Sequence, residues 1–191
     1  MSEAIFYFDV GSPFAYLAAE RLEALLPAPV QWQPVLLGGL FKLTGRSSWA
    51  LGEPERRQRG MADIERRALS YGLPPMRWPD PWPTDYLLAM RAVTYAFGVG
   101  RGRELAMHAF RSAFQRGRQL RDPAEVFAVA AEVGLERREL EAGVADPQTK
   151  QALRDATDAA HARGVFGVPT VAISSETGCR INYGRRASRR R

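Results

Sequence analysis

The first 35 residues carry two different hydrophobic patterns. Residues 5–8 form an apolar, aromatic run that ends in a turn, which predicts a β-strand. Residues 15–26 place apolar side chains at helical spacing until Pro27 and Pro29 end the run. Residues 30–35 alternate between apolar and polar side chains and predict a second strand. This order predicts a βαβ unit with two parallel strands.

Helical patterns dominate the middle of the chain. Residues 38–49 predict a loop that can include a short turn, and residues 74–83, which contain five prolines, predict an extended segment. A strand pattern returns only at residues 170–173, directly after Pro169. The predicted helices between these points cover residues 55–71, 84–97 with Thr84 as the cap, 103–116, 122–133, 136–142 and 146–162.

Ser12 and Pro13 lie where the first strand gives way to the first helix. Serine is a favoured N-cap and proline a favoured first helical residue, so the Ser12 hydroxyl is expected among free backbone N–H groups. The positive end of a helix suits an anion. Two interpretations follow from the residues alone: Ser12 only caps the helix, or it also binds an anion.

Composition excludes several classes of protein. A chain of 191 residues with 46% hydrophobic content can bury a core as one domain, or as one domain with an insertion. The single cysteine, Cys179, allows no internal disulfide and no thiolate pair for a metal. The start of the chain lacks a secretory pattern, and no apolar run of membrane-spanning length occurs. We therefore expect a cytoplasmic protein with no metal and no membrane partner.

The net charge of +6 resides at the end of the chain. Residues 180–191 hold six of the 27 basic residues and no acidic one, so residues 1–179 balance 21 bases against 21 acids. Tyr183 is the single aromatic residue in this basic tail, which we expect to be disordered. Nucleic acid is therefore not the expected partner of the folded domain.

Two distant motifs carry a family resemblance. Residues 8–17 read Phe-Asp-Val-Gly-Ser-Pro-Phe-Ala-Tyr-Leu, and residues 164–171 read Gly-Val-Phe-Gly-Val-Pro-Thr-Val. With these motifs the chain resembles the 2-hydroxychromene-2-carboxylate isomerase and kappa-class glutathione transferase branch of the DsbA-like thioredoxin family. The segments at residues 44–45, 62–68 and 72–74 also look like that branch.

The resemblance implies a mixed α/β fold, namely a thioredoxin fold with a large all-helical insertion. The thioredoxin-like domain is expected at residues 1–44 and 164–179, and the helical insertion at residues 45–163. The final Trp-Gly motif and closing helix of the family are not found after residue 173. The C-terminal part of the fold is therefore expected to be altered or truncated, which leaves half of the glutathione site and one sheet face in doubt.

The same resemblance implies a glutathione-dependent isomerase. The two cysteines of a redox-active relative are replaced by Ser12 and Ala15, and Ser12 is implied to donate a hydrogen bond to the glutathione sulfur. The Val168–Pro169 bond is expected to be cis, so that the Val168 backbone pairs with the peptide. The implied glutathione site comprises Ser12, Phe14, Arg46, Val168 and Pro169.

The remaining assignments concern the substrate, and each has a structural alternative. Arg46 could pair with a glutathione carboxylate or simply lie on the surface, and Arg56 falls where the family has a lysine. Trp49 and Trp82, with Trp78 as a further candidate, are proposed to line a pocket for an aromatic-derived substrate, although core or surface packing is the favoured explanation for any single one of them. His108 and His161 are interpreted as structural or exposed.

Three functions stay open at this point. The first is isomerisation of a 2-hydroxychromene-2-carboxylate-like intermediate of aromatic degradation, by a homodimer. The second is a kappa-like glutathione transferase or peroxidase, because the same activated thiolate attacks other electrophiles. The third is a non-enzymatic thioredoxin-fold protein whose site is degraded.

Overall fold

A four-stranded sheet organises the computed structural model, which describes residues 3–26, 29–175 and 178–183. The strands lie in the order β2-β1-β3-β4. β1 and β2 are parallel, with Phe6 opposite Trp32, which confirms the predicted parallel pair. β3 pairs antiparallel with both β1 and β4. The strands are β1 (Glu3–Phe8), β2 (Val30–Pro34), β3 (Thr170–Ser175) and β4 (Gly178–Tyr183).

Helices account for most of the remaining described chain. Between β2 and β3 the described chain is mostly helical, apart from turns and the non-helical stretch at residues 71–86, which contains the extended segment predicted at residues 74–83. The helices are α1 (Pro13–Ala19), α2 (Leu22–Leu25), α3 (Leu37–Thr44), α4 (Pro54–Ser70), α5 (Leu87–Gly98), α6 (Gly102–Phe114), α7 (Pro123–Ala131), α8 (Arg137–Ala145) and α9 (Pro147–Ala162), with a 3-10 turn at Trp49–Leu51.

The two faces of the sheet are covered by different parts of the chain. Phe6 and Phe8 of β1 pack with Trp32 of β2 into a large core shared with α1, α5 and α6. Tyr7 points the other way and joins a smaller cluster, because successive strand residues face opposite sides. The remaining buried members of that cluster are Val35, Leu40, Ala160, Val165 and Ala172. The helix α3 and the end of α9 therefore cover part of the second face.

The predicted loop at residues 38–49 is wrong over its first half, which forms α3. The adjacent Gly38 and Gly39 favour a loop locally. The helix start is stabilised by distant groups instead: the Leu37 N–H donates to the Asp9 carboxylate and the Leu36 N–H to the Thr157 hydroxyl. Such contacts over 28 and 121 residues leave no local signal.

Two further helix boundaries differ from prediction. The single helix expected over residues 15–26 is two helices, because the chain turns at Glu20 and Arg21. Glu20 is held there by Arg111 of α6, at 2.8 and 2.9 Å. Thr84 does not cap α5, which begins at Leu87 after Asp85 has accepted the Leu87 N–H at 2.8 Å.

At the C-terminus the backbone continues past β3 into the hairpin strand β4. Residues 180–183, expected in the basic tail, belong to this strand and pair with β3. Backbone pairing with β3 therefore continues into the basic segment at these residues. Residues 184–191, the rest of the expected tail, lie outside the described residues.

Candidate active site

Ser12 lies at the end of a turn that leads from β1 into α1. Its Oγ accepts the Ala15 N–H at 3.2 Å and Pro13 follows as the first helical residue, which confirms the predicted cap. Because Oγ acts as the acceptor there, the hydroxyl hydrogen is left to donate elsewhere. α1 has seven residues, so its dipole adds little, and the Ser12 hydroxyl is the main polar group that the turn offers.

Asp9 holds this turn in place. One carboxylate oxygen accepts the Gly11 N–H at 2.8 Å and the other accepts the Leu37 N–H of α3 at 2.8 Å. The Asp9 backbone carbonyl accepts the Ser12 N–H at 3.0 Å. A side chain that is 4% exposed thus ties the Ser12 turn to the start of α3.

Burial dominates the electrostatics of Asp9. Removal from water raises the pKa of the Asp9 carboxyl to about 6, against the two backbone N–H groups that lower it. Tyr86 lies beside it, and burial followed by the charge of Asp9 raises the pKa of the Tyr86 phenol. The Tyr86 hydroxyl has no hydrogen-bond partner among the described residues, although the residue is only 7% exposed.

The sheet brings the second motif next to the first. β1 and β3 are antiparallel neighbours with Tyr7 opposite Thr170, so the chain leaving β1 and the chain entering β3 meet at one edge. Val168 and Pro169 therefore lie across from Ser12, and the peptide bond between them is cis. The Thr170 hydroxyl donates to the Gly167 carbonyl at 2.7 Å and fixes this entry loop. Ser12, Val168 and Pro169 are called the sheet wall below.

An open cavity of about 1280 Å³ lies in front of the sheet wall. All seven residues that the sequence singles out for binding line it: Ser12, Phe14, Arg46, Trp49, Trp82, Val168 and Pro169. Pockets for drug-sized ligands usually measure roughly 300–1,000 Å³, so this cavity has room for more than one small ligand.

Aromatic side chains form another part of the cavity lining. The Trp49 ring lies 5.6 Å from that of Trp82 and 6.3 Å from that of Phe14. Gly60 of α4 provides the space for Trp49, since a Cβ there would come within 2.2 Å of the indole ring. Trp49 and Trp82 are called the tryptophan wall below.

Trp78 stands behind the tryptophan wall rather than in it. Its ring packs on Trp82 at 4.6 Å, its indole N–H donates to Glu65 at 2.6 Å, and it does not line the cavity. The two histidines also lie elsewhere: His108 contacts Glu132 at 3.2 Å, and the His161 ring lies 6.5 Å from that of Phe166. Neither histidine lines the cavity.

Arg46 stands at the mouth of the cavity. It follows α3, which ends at Gly45 in the left-handed conformation with φ of 64°, and its guanidinium lies 5.3 Å from the centre of the Phe166 ring. Arg56 of α4 lines the same cavity. Both side chains are exposed, so they can change conformation to form an ion pair with a bound carboxylate.

Sequence reasoning missed Asp9 and Tyr86. An acidic residue directly after a buried aromatic strand is a signal for Asp9, because a carboxylate seldom lies there without backbone donors to hold it. Tyr86 carried no local signal. Its importance arises from Gly11, where a Cβ would come within 2.4 Å of the Tyr86 ring.

The described residues contain no cluster of His, Cys, Asp or Glu suited to holding a metal ion. Within the same ranges, no helix has the length and apolar character needed to cross a membrane.

The fold and the site define the class of protein. Residues 3–182 match the DSBA-like thioredoxin domain, and the chain belongs to that family. The predicted family and the predicted thioredoxin fold are thereby confirmed.

Particular relatives are similar over nearly the whole chain. The chain is 28% identical over 176 residues to the 2-hydroxychromene-2-carboxylate isomerase of Sphingobium xenophagum, covering 90% of this chain and 88% of that protein. A solved structure of a 2-hydroxychromene-2-carboxylate isomerase superposes with a TM-score of 0.74 at 23% identity, over 93% of this chain and 87% of the other.

A third relative combines the same fold with glutathione. The cytosolic disulfide reductase DsbM from Pseudomonas aeruginosa, solved with GSH, superposes with a TM-score of 0.66 at 18% identity. The match covers 95% of this chain and 89% of that one. At this identity the likeness concerns the fold.

Proposed function

We propose that the protein is a glutathione-dependent isomerase that acts on a 2-hydroxychromene-2-carboxylate-like intermediate of aromatic degradation. The observation that carries the proposal is the meeting of two motifs, about 150 residues apart, at one cavity. The similarity to 2-hydroxychromene-2-carboxylate isomerases supports the reaction class.

The residues of the cavity fit glutathione. The sheet wall offers a hydroxyl donor and an extended backbone stretch, and the cavity mouth offers the exposed guanidinium of Arg46 for a carboxylate. Bound glutathione would supply a thiolate that adds reversibly to the substrate, which permits rotation about a former double bond before elimination. Thiol–disulfide exchange is not proposed, because Ser12 and Ala15 stand where that chemistry needs two cysteines.

Ser12 has the central role in this proposal. Its free hydroxyl hydrogen donates to the sulfur anion, and such a charge-assisted hydrogen bond favours thiolate over thiol. Phe14 and the Val168 backbone border the same space, where Val168 is positioned to pair with the peptide as an added strand would.

The tryptophan wall is assigned to the second substrate. Trp49 and Trp82 add large apolar side chains to the lining of the cavity that contains Ser12, which suits a planar ring derived from an aromatic compound. A cytoplasmic homodimer completes the proposal; the lone cysteine and the family resemblance support these two parts.

Replacing Ser12 by alanine tests the assignment. Loss of a preorganised donor to a developing or bound anion costs about 100-fold or more in turnover. Loss of a helix cap costs about 1 kcal/mol of stability. We expect glutathione-dependent isomerisation by Ser12→Ala to fall about 100-fold while the protein stays folded.

Asp122→Ala is the matched control. Asp122 caps α7 in the same way, with Pro123 at the first helical position and the Ala124 N–H bound at 2.9 Å, and it lies outside the cavity. The control is expected to lose similar stability and no activity. Equal activity of Ser12→Ala and the wild type would refute the role of Ser12.

A further inference from the structure

Asp9 lies close to the place where a sulfur anion would rest. It precedes Ser12 by three residues and lines the same cavity, and its backbone carbonyl accepts the Ser12 N–H at 3.0 Å. Its carboxylate oxygens are held by the N–H groups of Gly11 and Leu37. A thiolate at Ser12 would therefore share a low-dielectric space with a fixed carboxylate.

The charged surroundings do not compensate Asp9. The charge of Asp85 acts on Asp9 and has the same sign, so it also raises the pKa of the Asp9 carboxyl. The neighbouring Tyr86 is neutral in the physiological range because burial raises the pKa of its phenol. Among the other charged residues lining the cavity, Asp63 forms ion pairs with Arg66 and Arg67, whereas Arg46 and Arg56 are exposed to solvent.

Two neighbouring negative charges repel, so each raises the free energy needed to keep the other ionised. Burial already raises the pKa of Asp9 to about 6, so without a bound anion the Asp9 carboxyl is mostly ionised at pH 7. A second anion at Ser12 raises that pKa further. By linkage, protonation of Asp9 tightens the binding of the anion to the same degree.

We infer that Asp9 accepts a proton when a thiolate occupies the Ser12 position and gives it back when the thiolate leaves. The inference deepens the proposed function and rests on it. When a glutathione thiol ionises at Ser12, its S–H bond breaks and an O–H bond forms on Asp9. The net charge of the site is unchanged, and no other reactant is needed.

Calorimetry with two glutathione derivatives tests this coupling without catalysis. Glutathione sulfonate places a permanent anion at the sulfur position, and S-methylglutathione places a neutral group there. Titrations at pH 7 in buffers of different ionisation enthalpy report the protons taken up. We expect the binding of glutathione sulfonate to be accompanied by the uptake of at least about half a proton more per site than the binding of S-methylglutathione.

The pH dependence of ligand affinity in the wild type tests the same coupling without a variant. The ratio of the affinity for glutathione sulfonate to that for S-methylglutathione is expected to rise about tenfold from pH 8 to pH 5.5. Titrations of the shared peptide part cancel in this ratio. A ratio that stays flat over this range would overturn the inference.

Two variants test whether Asp9 is the group that takes up the proton. Asp9→Asn is expected to abolish the extra uptake, and Asp85→Asn to retain it. Loss of uptake in Asp85→Asn with retention in Asp9→Asn would move the proton to Asp85 and overturn the inference. Binding of both derivatives without extra uptake contradicts the inference alone, whereas absence of binding by both contradicts the proposed function.

Discussion

The sheet wall and the tryptophan wall line one cavity but are built in different ways. The sheet wall follows from strand pairing: β1 and β3 are hydrogen-bonded neighbours, so Ser12 and Val168 must meet at one edge. The tryptophan wall comes from a 3-10 turn and a proline-rich segment outside the sheet. Its position depends on side-chain packing, above all on the space over Gly60.

This difference suggests that the two walls have separate roles. Backbone hydrogen bonds hold the residues that we propose to contact glutathione in fixed positions. A reaction at the sulfur atom requires such precise placement. Packing contacts between large rings hold the surface assigned to the substrate. Changes to the sheet wall should therefore affect stability and turnover, and changes to the tryptophan wall should affect substrate affinity alone.

The largest expected effect concerns Asp9 behind the sheet wall. Its pKa of about 6 in the folded protein lies above the unfolded value of 3.8, so the folded state holds the proton more tightly. The contribution of Asp9 to stability is fully present below pH 3.8 and is lost as pH rises through about 6. Two units of pKa correspond to roughly 3 kcal/mol.

Chemical denaturation of the wild type and Asp9→Asn at several pH values measures this effect. Relative to Asp9→Asn, the wild type should gain up to about 3 kcal/mol in free energy of unfolding between pH 7 and pH 4. The difference between the two proteins removes the opposite contribution of carboxylates such as Asp63, whose pKa is lowered by Arg67. A difference independent of pH would show that the pKa of Asp9 is ordinary.

Gly11→Ala disturbs the sheet wall by overpacking. The new Cβ would come within 2.4 Å of the Tyr86 ring, which is 7% exposed, so the ring or the Ser12 turn has to shift. We expect a loss of about 2 kcal/mol in stability, together with lower turnover as the Ser12 turn shifts.

Gly98→Ala is the control for that variant. Gly98 ends α5 on the surface with nothing within 4 Å of the added Cβ. Its stability should stay within about 0.5 kcal/mol of the wild type in thermal melts. If Gly11→Ala were as stable and as active as this control, the close contact with Tyr86 would be wrong.

Gly60→Ala acts on the tryptophan wall. The added methyl group takes the space of the Trp49 ring, and Trp49 is only partly buried and can move outward. Alanine also favours the helix by about 1 kcal/mol, so stability should change little. We expect the KM for the second substrate to rise about tenfold, with the Kd for glutathione unchanged.

Gly52→Ala separates this effect from mere loop perturbation. Gly52 follows the same turn, but its added Cβ would meet only the Trp49 carbonyl at 3.4 Å, an ordinary contact. Its KM should stay near the wild-type value. A rise in the Kd for glutathione in Gly60→Ala would contradict the separation of the two walls.

Arg46→Gln has the smallest expected effect. An exposed guanidinium gains about 1 kcal/mol or less from a carboxylate, because solvent screens the pair. The Kd for glutathione should rise about fivefold or less, and more at low salt than at high salt. Arg59→Gln, which loses only a surface pair with Glu55, should leave the Kd unchanged. An unchanged Kd in Arg46→Gln would remove Arg46 from the site.

Local signals predicted the sheet wall well. The Ser12 cap and the later Asp-Pro helix starts are confirmed, because each depends on residues within a few positions. The parallel β1–β2 pair is also confirmed, because the order strand, helix, strand fixes the direction of the second strand. The family resemblance implied that the two motifs meet, and the pairing of β1 with β3 is the physical reason.

Distant contacts account for what was missed. The backbone N–H groups at the start of α3 donate to Asp9 and Thr157, which are far away in sequence. The local Gly38–Gly39 pair, in contrast, argues against a helix. Tyr86 matters through its contact with Gly11, which no pattern around residue 86 reveals. The strand β4 extends into the basic segment because pairing with β3 outweighs composition.

The rate of isomerisation as a function of glutathione concentration tests the central claim most directly. With 2-hydroxychromene-2-carboxylate as substrate, the account predicts a rate that depends on glutathione, saturates, and falls about 100-fold in Ser12→Ala. Equal conversion without glutathione, or saturable binding of glutathione with no isomerisation of this substrate, would contradict it.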